Sequence, residues 1–371
     1  MRIGIEAQRI FRKNKHGMDY VVLHEILEIQ KIDHENEYFV FVKPGEDPCV
    51  KSTENVHIVE VNCPSYPLWE QWALPRAAKK AKVDLLHCTS NTAPIFCDIP
   101  LVLTLHDIIY LENREKESVS FYQNMGWYYR RFVVPCIAKK CLKIITVSNF
   151  EKENIISKLR IPRERITMIY NGYNECYVPL IDEQQVFQKY IEQPDYFFII
   201  GNTDGRKNVE RMLIAYSKYL KASTDKRKLL LTGLSEDYVM LLLRQNHIEK
   251  ISSFISLTGY VPGKDLPYLY NDAFAFIFAS LREGFGIPII ESMACGTPVI
   301  TSNTSSMPEI GGPEAILVNP ENSDEIAQMM LRLETDTDFY QQQKTIGIER
   351  AKLFSWKKTA EQLLNVYQSC K

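Results

Sequence analysis

Short apolar runs alternate with longer amphipathic stretches along almost the whole chain. Runs rich in Val, Ile, Leu and Phe are typical of strands that are buried on both faces of a parallel sheet. Seven such strands are predicted in the first half of the chain, at 2–7, 38–43, 56–62, 85–90, 101–106, 142–148 and 166–171. Six more are predicted in the second half, at 196–201, 228–232, 254–259, 273–279, 299–302 and 316–319. This alternation favours an α/β fold of two doubly wound parallel sheets, which bind ligands beyond the carboxyl ends of their strands.

The length of the chain and one polar stretch set the expected domain boundaries. At 371 residues the chain exceeds the usual size of a single hydrophobic core, so two domains are expected. The polar stretch 173–195 separates the two series of strands. We therefore predict an N-terminal domain over 1–178, a C-terminal domain over 179–353 and a final helical segment over 354–371.

A glycine-rich turn, residues 284–286, follows the apolar run 273–279. Pro288 is expected at the first position of a short helix, and Gly296 provides the left-handed residue at which that helix ends. The helix start directs free backbone amides and the positive end of its dipole toward the turn. The order of strand, glycine loop and helix is therefore typical of a phosphate-binding site.

Glu283 and Glu291 lie on either side of that turn. Two carboxylates would repel a phosphate unless they face the uncharged, hydroxyl-rich parts of the same ligand. We therefore expect Glu291 to accept hydrogen bonds from ribose hydroxyls and Glu283 to hold hydroxyls of a sugar beyond the diphosphate. The alternative is structural: Glu283 would be a solvated loop residue and Glu291 would favour the start of the helix.

A basic turn follows the predicted strand 196–201. Residues 201–208 read GNTDGRKN and precede a predicted helix, so Arg206 and Lys207 lie where a diphosphate would bind. A guanidinium fork and a compact ammonium together offset the charge of a departing diphosphate. The alternative is an ordinary solvated basic turn.

These segments resemble the signature of a known family. Residues 282–288 and 291–299 are similar to the E-x7-E motif of the family-four retaining glycosyltransferases of GT-B fold. The resemblance implies two Rossmann-like domains that face a central crevice, with the donor held mainly by the second domain and the acceptor by the first. It also implies that the final helix crosses back onto the first domain. It extends through Arg206-Lys207-Asn208, Asn171-Gly172, Thr258-Gly259-Tyr260-Val261, His106-Asp107 and Phe354-Ser355-Trp356.

The resemblance also implies roles for individual residues. Glu283 would orient the donor sugar, and His106 would contact that sugar or the acceptor hydroxyl. Arg206 and Lys207 would stabilise the departing diphosphate. The donor-binding residues that it implies are Glu291, Gly284, Phe285, Gly286, Ile287, Gly17, Asn202 and Val261. Many relatives carry an arginine where Asn202 stands, so the second phosphate contact is open between Arg206 and Lys207, and we favour Lys207.

Features of the first half have structural alternatives. His106 and Asp107 end the predicted strand 101–106 at its ligand-binding edge, although a lone histidine is more often structural. Gly17 opens the first long helix and would either let the backbone approach a phosphate or simply form a turn. Ser148 is as well suited to capping the following helix as to contacting a ligand. A G-x-G-x-x-G motif does not follow the first strand, which disfavours a dinucleotide dehydrogenase.

Charge and cysteine usage narrow the class of protein. A formal net charge of −2 provides no general attraction for nucleic acid. Nine scattered cysteines without a C-x-x-C motif suit reduced thiols in a cytoplasm better than disulfides or a zinc site. The charged, strand-like first residues and the absence of an apolar run of about 18 residues argue against a signal peptide or a membrane-spanning helix.

Three further segments bear on possible contacts with a metal ion or a membrane. The D-x-D sequence at 336–338 lies in a polar segment near helices rather than at the end of a buried strand, so we expect no metal there. The basic and aromatic stretches 72–82 and 127–140 are compatible with contact with an anionic membrane. Each stretch is also explained as an ordinary amphipathic helix, which is the favoured interpretation.

The sequence thus predicts a retaining, metal-independent glycosyltransferase with no cofactor other than a nucleoside diphosphate sugar as co-substrate. It would move a mannose-like or glucose-like hexose to a glycan or lipid-linked acceptor in cell-surface polysaccharide or glycoconjugate synthesis. We expect it in the cytoplasm or at the inner face of the membrane. A nucleotide-sugar epimerase on the same scaffold is the alternative. An exported sugar-binding protein is disfavoured because no signal peptide is recognised.

Overall fold

The computed structural model describes residues 1–112 and 121–371 and divides into two compact units. Unit 1 contains Met1–Gly172 and Trp356–Lys371, and unit 2 contains Tyr173–Ser355. Unit 2 begins a few residues before the predicted boundary at 178/179 because the intervening segment packs on it. The ring centroid of Tyr177 lies 5.8 Å from that of Tyr270, and the side-chain amide of Asn271 donates to the carbonyl oxygen of Val178 at 3.0 Å.

The core of unit 1 is a parallel sheet with the strand order β3-β2-β1-β4-β5-β6-β7. Its strands are β1 Arg2–Glu6, β2 Glu37–Val42, β3 Val56–Glu60, β4 Leu85–Cys88, β5 Leu101–Leu105, β6 Lys143–Thr146 and β7 Ile166–Met168. Its helices are α1 Gly17–Ile32, α2 Tyr66–Leu68, α3 Leu74–Lys80, α4 Phe121–Ala138 and α5 Asn149–Leu159, with a π-helical turn at Trp69–Ala73 between α2 and α3.

The core of unit 2 is a second parallel sheet with the strand order β10-β9-β8-β11-β12-β13. Its strands are β8 Tyr196–Ile200, β9 Leu229–Thr232, β10 Ile255–Thr258, β11 Ala273–Phe278, β12 Val299–Ser302 and β13 Ile316–Val318. Its helices are α6 Val209–Ala222, α7 Glu236–Gln245, α8 Leu266–Asn271, α9 Ile287–Ala294, α10 Met307–Gly311, α11 Ser323–Thr335 and α12 Thr337–Ala351.

The thirteen predicted strands are all present, and the predicted α/β class with two parallel sheets is confirmed. Their apolar composition follows from their environment, because helices cover both faces of a parallel sheet. Every residue of β11, AFAFIF, is buried, so this strand tolerates no polar side chain on either face.

The last helix, α13 (Trp356–Gln368), belongs to unit 1. The indole of Trp356 stacks on the ring of His24 in α1, with centroids 5.1 Å apart. The hydroxyl of Tyr367 lies 2.8 Å from Nδ1 of His87, a buried residue of β4. Helix α13 therefore completes the core of unit 1 although unit 2 separates it in sequence from the rest of that core.

Each sheet contains one point at which the strand order reverses. In unit 1 the reversal lies between β1 and β4, and in unit 2 it lies between β8 and β11. At such a point the loops that follow the two strands turn to opposite faces of the sheet and leave an opening where ligands bind. The loops after β1 and β4 and those after β8 and β11 are therefore the places to look for functional residues.

Candidate active site

The loop after β8 carries the predicted cations at the reversal point of unit 2. Asp204 ends the first part of this loop and accepts hydrogen bonds from the amide and from Nε of Arg206, the latter at 2.9 Å. Burial raises the pKa of Asp204, but hydrogen bonds and the charge of Arg206 outweigh burial and lower the pKa overall. Arg206 is thus oriented by an ion pair with Asp204 within its own turn.

Asn208 fixes this turn against the end of β11. It adopts a left-handed conformation with φ of 58° at the start of α6. Its side-chain amide donates to the carbonyl oxygens of Ala279 and Pro320 at 2.8 and 2.7 Å. Asn202, the other asparagine of this loop, accepts a hydrogen bond from the amide of Asp204 at 2.9 Å. The polar side chains of this loop therefore hold its backbone in place without a ligand.

Lys207 and Glu283 form an ion pair between the loops that follow β8 and β11. Nζ of Lys207 lies 2.7 Å from Oε1 of Glu283 and 5.3 Å from the ring centroid of Phe278. The Glu283 side chain retains 15% of its exposure and that of Lys207 retains 31%. The structure therefore brings together one predicted phosphate ligand and the predicted sugar ligand, and both side chains remain partly accessible.

Two serines that the sequence analysis did not identify hold the backbone of Glu283. The amide of Glu283 donates to Oγ of Ser305 at 3.0 Å, and Oγ of Ser306 lies within 3.0 Å of the carbonyl oxygens of Glu283 and Phe285. Both serines follow β12, the neighbour of β11 in the sheet. The run of hydroxyl residues at 304–306 was the available signal, since polar residues just beyond a buried strand lie at the ligand-binding edge.

The glycine turn ends at α9 as the pattern predicts. Gly286 has φ of 108°, which favours glycine, and it precedes the first helical residue, Ile287, so Pro288 lies one position later than predicted. Gly296 follows the helix with φ of 76°. The ring of Phe285 is buried and packs edge-on against Phe354 at 5.9 Å between centroids. Phe285 and Gly286 therefore shape the loop.

Glu291 lies in the second turn of α9 and contacts two tyrosines. Tyr270 donates a hydrogen bond to Oε2 of Glu291 at 3.3 Å, and the hydroxyl of Tyr177 donates to the same carboxyl group. Burial raises the pKa of Glu291 to about 7, although both hydrogen bonds act in the opposite direction. The two tyrosines, which the sequence analysis missed, come from distant segments and carried no local signal. Glu291 therefore changes charge near neutral pH.

In unit 1, His106 lies at the end of β5 and is almost fully buried. Its Nε2 donates to the carbonyl oxygen of Thr89 at 2.9 Å, and its amide donates to Oδ1 of Asn91 at 2.6 Å. A carbonyl oxygen only accepts, so Nε2 carries the hydrogen and Nδ1 is the acceptor nitrogen. Burial lowers the pKa of His106, while Thr89, Asp107 and Asp19 oppose that change. Burial of His106 therefore favours the neutral imidazole.

The reversal point of unit 1 is lined by buried polar groups. Glu6 ends β1, and its backbone carbonyl accepts a hydrogen bond from the hydroxyl of Thr89 at 2.7 Å. Thr89 follows β4 and also binds His106, so it joins the ends of β1, β4 and β5. Asp107 accepts from the amide of Ile109 at 3.1 Å and shapes the next turn. His106 thus lies in a polar network rather than among core hydrocarbons.

Gly17 and Val261 were also predicted to bind the donor. Gly17 is the first residue of α1, and a Cβ atom there would meet no atom within 4 Å. Packing alone therefore does not require glycine at this position. Val261, in the loop after β10, is buried.

Two polar motifs have structural partners. Asp336 accepts a hydrogen bond from the amide of Phe339 at 2.9 Å and caps α12. Ser148 accepts from the amide of Glu151 at 3.2 Å and caps α5. Within residues 1–112 and 121–371, three or more His, Cys, Asp or Glu side chains are nowhere close enough together to hold a metal ion.

Comparison with known proteins places this geometry in a family. The model for Glycosyltransferase Family 4 matches residues 16–175, and that for Glycosyl transferases group 1 matches residues 181–350. The two matches cover both units except for the ends of the chain and a short junction. They include the loops after β5, β8 and β11, which carry the predicted site residues of each unit.

Curated relatives and solved structures agree with this assignment. The chain is 34% identical over 230 residues to O-antigen chain mannosyltransferase B of Escherichia coli, which is 61% of this chain and 60% of that protein. Sucrose-phosphate synthase of Thermosynechococcus elongatus has the same fold, with a TM-score of 0.76, 17% identity and coverage of 100% of this chain and 98% of that one. HepE of Anabaena, solved in complex with UDP and glucose, has a TM-score of 0.71 and 17% identity, with coverage of 99% of both chains.

The matches to curated mannosyltransferases are partial. The chain spans between 33% and 66% of the length of those relatives. Both halves of the chain nevertheless match models of one group of enzymes, and both sheets match one architecture over nearly all of the chain. The chain belongs to the family-four glycosyltransferases of GT-B fold.

Proposed function

We propose that this chain is a retaining hexosyltransferase. It would move a mannose-like or glucose-like hexose from a nucleoside diphosphate sugar to a glycan or lipid-linked acceptor during synthesis of cell-surface polysaccharide or glycoconjugates. The observation that carries this proposal is the ion pair of Lys207 and Glu283, which joins the loops after β8 and β11 at the reversal point of unit 2. The mannosyltransferase names of the curated relatives support a mannose-like donor.

The donor is held by unit 2 in this proposal. Lys207 and Arg206 offset the charge of the diphosphate, and Glu291 accepts hydrogen bonds from the ribose hydroxyls. Glu283 holds the hexose and stabilises the positive charge that develops on its ring. The contacts of Glu283 with Ser305 and Ser306 support this role because they fix the loop before the donor binds.

The chemical step is attack from the face on which the diphosphate leaves. The acceptor oxygen forms a bond to the anomeric carbon, the bond from that carbon to the diphosphate oxygen breaks, and the diphosphate takes the acceptor proton. Glu283 is paired with Lys207, which suits electrostatic stabilisation better than covalent attack. His106 would accept a hydrogen bond from a hydroxyl of the hexose or the acceptor through Nδ1.

The cations of unit 2 bear on the metal requirement of the proposed reaction, and the cysteines bear on the compartment of the protein. In this proposal Arg206 and Lys207 offset the charge of the diphosphate, so we propose that the reaction needs no metal ion. The nine cysteines are all free thiols, which supports a reducing compartment such as the cytoplasm. Among the described residues, no helix combines the length and the apolar composition that crossing a bilayer requires.

The test is release of nucleoside diphosphate from UDP-glucose, GDP-mannose and related donors, with and without acceptor. A transferase releases diphosphate in proportion to the acceptor that is glycosylated. An epimerase instead converts the sugar nucleotide without acceptor, a result that would overturn the proposal. None of the relatives named above is an epimerase.

A further inference from the structure

We infer that unit 1 carries a docking surface for an anionic lipid bilayer. This docking surface consists of Leu68, Trp72, Phe96, Met125, Tyr128 and Phe132 together with the basic residues around them. The inference rests on the proposed function, because it supplies the surface at which a lipid-linked acceptor would be met.

Large apolar side chains are exposed at helical spacing on this surface. Met125, Tyr128 and Phe132 form one stripe along α4, with exposures of 51, 67 and 68%. Leu68 and Trp72 are four residues apart and are also more than half exposed. A protein surface that meets only water rarely presents such a group, so this surface is expected to have a partner.

Four contacts join the segments that carry these residues. Gln71, in the π-helical turn, donates to the hydroxyl of Tyr129 in α4 at 2.8 Å, and that hydroxyl donates in turn to Glu70. At the other end of α4, Nζ of Lys140 donates to the carbonyl of Ile95 at 3.1 Å and lies 5.5 Å from the ring centroid of Phe96. The π-helical turn, the loop after β4 and α4 are therefore neighbours.

The charge of these segments is strongly biased although the whole chain has a net charge of −2. Residues 66–82 contain a single acidic side chain, Glu70, which is fully buried, and residues 121–143 contain no acidic residue. None of the cations in these segments forms a salt bridge with an acidic group of the described residues. These cations are Arg76, Lys79, Lys80, Lys82, Arg130, Arg131, Lys139, Lys140 and Lys143.

Aromatic and basic groups are also paired as they are at membrane interfaces. The guanidinium of Arg76 lies 3.7 Å from the ring centroid of Trp72, which is 56% exposed. Aromatic rings suit the boundary between head groups and acyl chains, and neighbouring cations suit anionic head groups. Insertion of apolar side chains and attraction of cations to anionic lipids together give peripheral binding that neither contribution would give alone.

A bilayer fits this surface better than other partners do. In a symmetric pair of chains the same patch meets itself, so the unpaired cations of one copy would oppose those of the other. A nucleic acid would use the cations, but it offers no apolar phase for Leu68, Met125 and Phe132. An anionic bilayer satisfies both the charge and the apolar groups.

The test is co-sedimentation of the full chain with vesicles of phosphatidylcholine alone or with phosphatidylglycerol. We expect binding to the anionic vesicles that weakens with salt, and roughly tenfold weaker binding for the double variants Tyr128→Ser/Phe132→Ser and Lys79→Gln/Lys80→Gln. The matched control is Ile181→Ser/Leu241→Ser, which removes two exposed apolar groups from unit 2 and should bind like the unaltered chain. Unchanged melting temperatures show that each variant is folded.

Several results would overturn the inference. These are a lack of binding to anionic vesicles, equal losses in the control variant, or self-association that Tyr128→Ser/Phe132→Ser abolishes in sedimentation velocity. Binding to RNA that Tyr128→Ser/Phe132→Ser leaves unchanged, without vesicle binding, would also overturn it. Transfer of sugar to a water-soluble acceptor distinguishes failure of this inference from failure of the proposed function. The variant Tyr128→Ser/Phe132→Ser should keep this transfer activity. If the unaltered chain lacks transfer activity, the proposed function is wrong, whereas the membrane-docking inference is unaffected.

Discussion

Lys207 and Glu283 face each other across the reversal point of the second sheet, with Nζ 2.7 Å from Oε1. Neither side chain is fully buried, so each can also meet a ligand group. We propose that, when a donor binds, the ammonium donates to a phosphate oxygen and the carboxylate accepts from a sugar hydroxyl while the ion pair stays in place. The pair therefore keeps two opposite charges in place before the substrate arrives, which lowers the cost of reorganisation during the reaction.

Substitution of either residue of this pair should lower kcat strongly while it leaves the free energy of unfolding nearly unchanged. We expect Glu283→Gln to lower kcat by roughly 100-fold or more, because it removes the charge that meets the developing cation. Lys207→Met should lower kcat as well. The double variant should be little slower than either single variant, since each change already breaks the pair. Steady-state kinetics would measure all three.

The matched control for these variants is Glu321→Gln, which changes an exposed carboxylate beyond β13. It should leave kcat and the melting temperature unaltered. Turnover of Glu283→Gln at the level of the unaltered enzyme would refute the role of Glu283. Strictly additive losses in the double variant would show that the two residues act independently.

Nucleotide affinity should depend on Glu291 and on pH. Glu291→Ala should weaken nucleoside diphosphate binding by about 1.5 to 3 kcal/mol, the cost of a lost charge-assisted hydrogen bond. The pKa of Glu291 is raised to about 7, so affinity should increase as pH rises through 7 and the carboxyl becomes a full acceptor. Calorimetry across this range would show whether Glu291→Gln removes the pH dependence; a persistent dependence would exclude Glu291 as its source.

Glu291 should also affect the free energy of unfolding. Its contribution to stability should decrease as pH rises, whereas nucleotide affinity should increase. The unfolded chain loses the Glu291 proton near its ordinary pKa of 4.5, whereas the folded chain holds it up to about 7. Stability from this group is therefore present at low pH and is lost as pH rises from about 4.5 to 7. Burial also raises the pKa of Glu25 to about 8, so the informative quantity is the difference between the unaltered chain and Glu291→Gln. Thermal unfolding at several pH values would measure it.

The strands and helix ends were predictable because their signals are local. A strand that is buried on both faces needs apolar residues throughout, so β11 is recognisable from AFAFIF alone. Gly286 and Gly296 mark the ends of α9 because both have positive φ. Asp336, the first residue of the D-x-D sequence, caps α12, and aspartate at a helix cap is a local signal of the same kind.

The supports of the site were not predictable because their partners are far apart in sequence. Ser305 and Ser306 reach Glu283 only because β11 and β12 are neighbours in the sheet. Tyr177 and Tyr270 reach Glu291 from a connecting segment and from α8. The sequence thus indicated the groups expected to touch a ligand, whereas the residues that hold them depended on tertiary structure.

Activity should survive removal of divalent metal. The cations Arg206 and Lys207 lie in the turn that follows β8, where the proposal places the diphosphate. We expect the rate in excess EDTA to remain within about twofold of the rate without it. Complete loss in EDTA that magnesium or manganese restores would show that these side chains do not suffice.

His106→Ala should separate transfer from nucleotide binding. We expect the transfer rate to fall roughly tenfold as a sugar contact is lost, while affinity for the free nucleoside diphosphate remains because unit 2 holds that ligand. His106→Gln can still donate to the carbonyl of Thr89 and controls for the loss of that contact. If nucleotide affinity and melting temperature both collapse in His106→Ala, His106 is a structural residue.

The most direct test of the account is the anomeric configuration of the product. Proton NMR would follow the transfer from an α-linked nucleoside diphosphate hexose to an acceptor by the unaltered chain and by Glu283→Gln. The account predicts an α-linked product that forms in step with free nucleoside diphosphate, and strongly reduced formation by the variant. A β-linked product, or diphosphate release without any glycosylated acceptor, would contradict it.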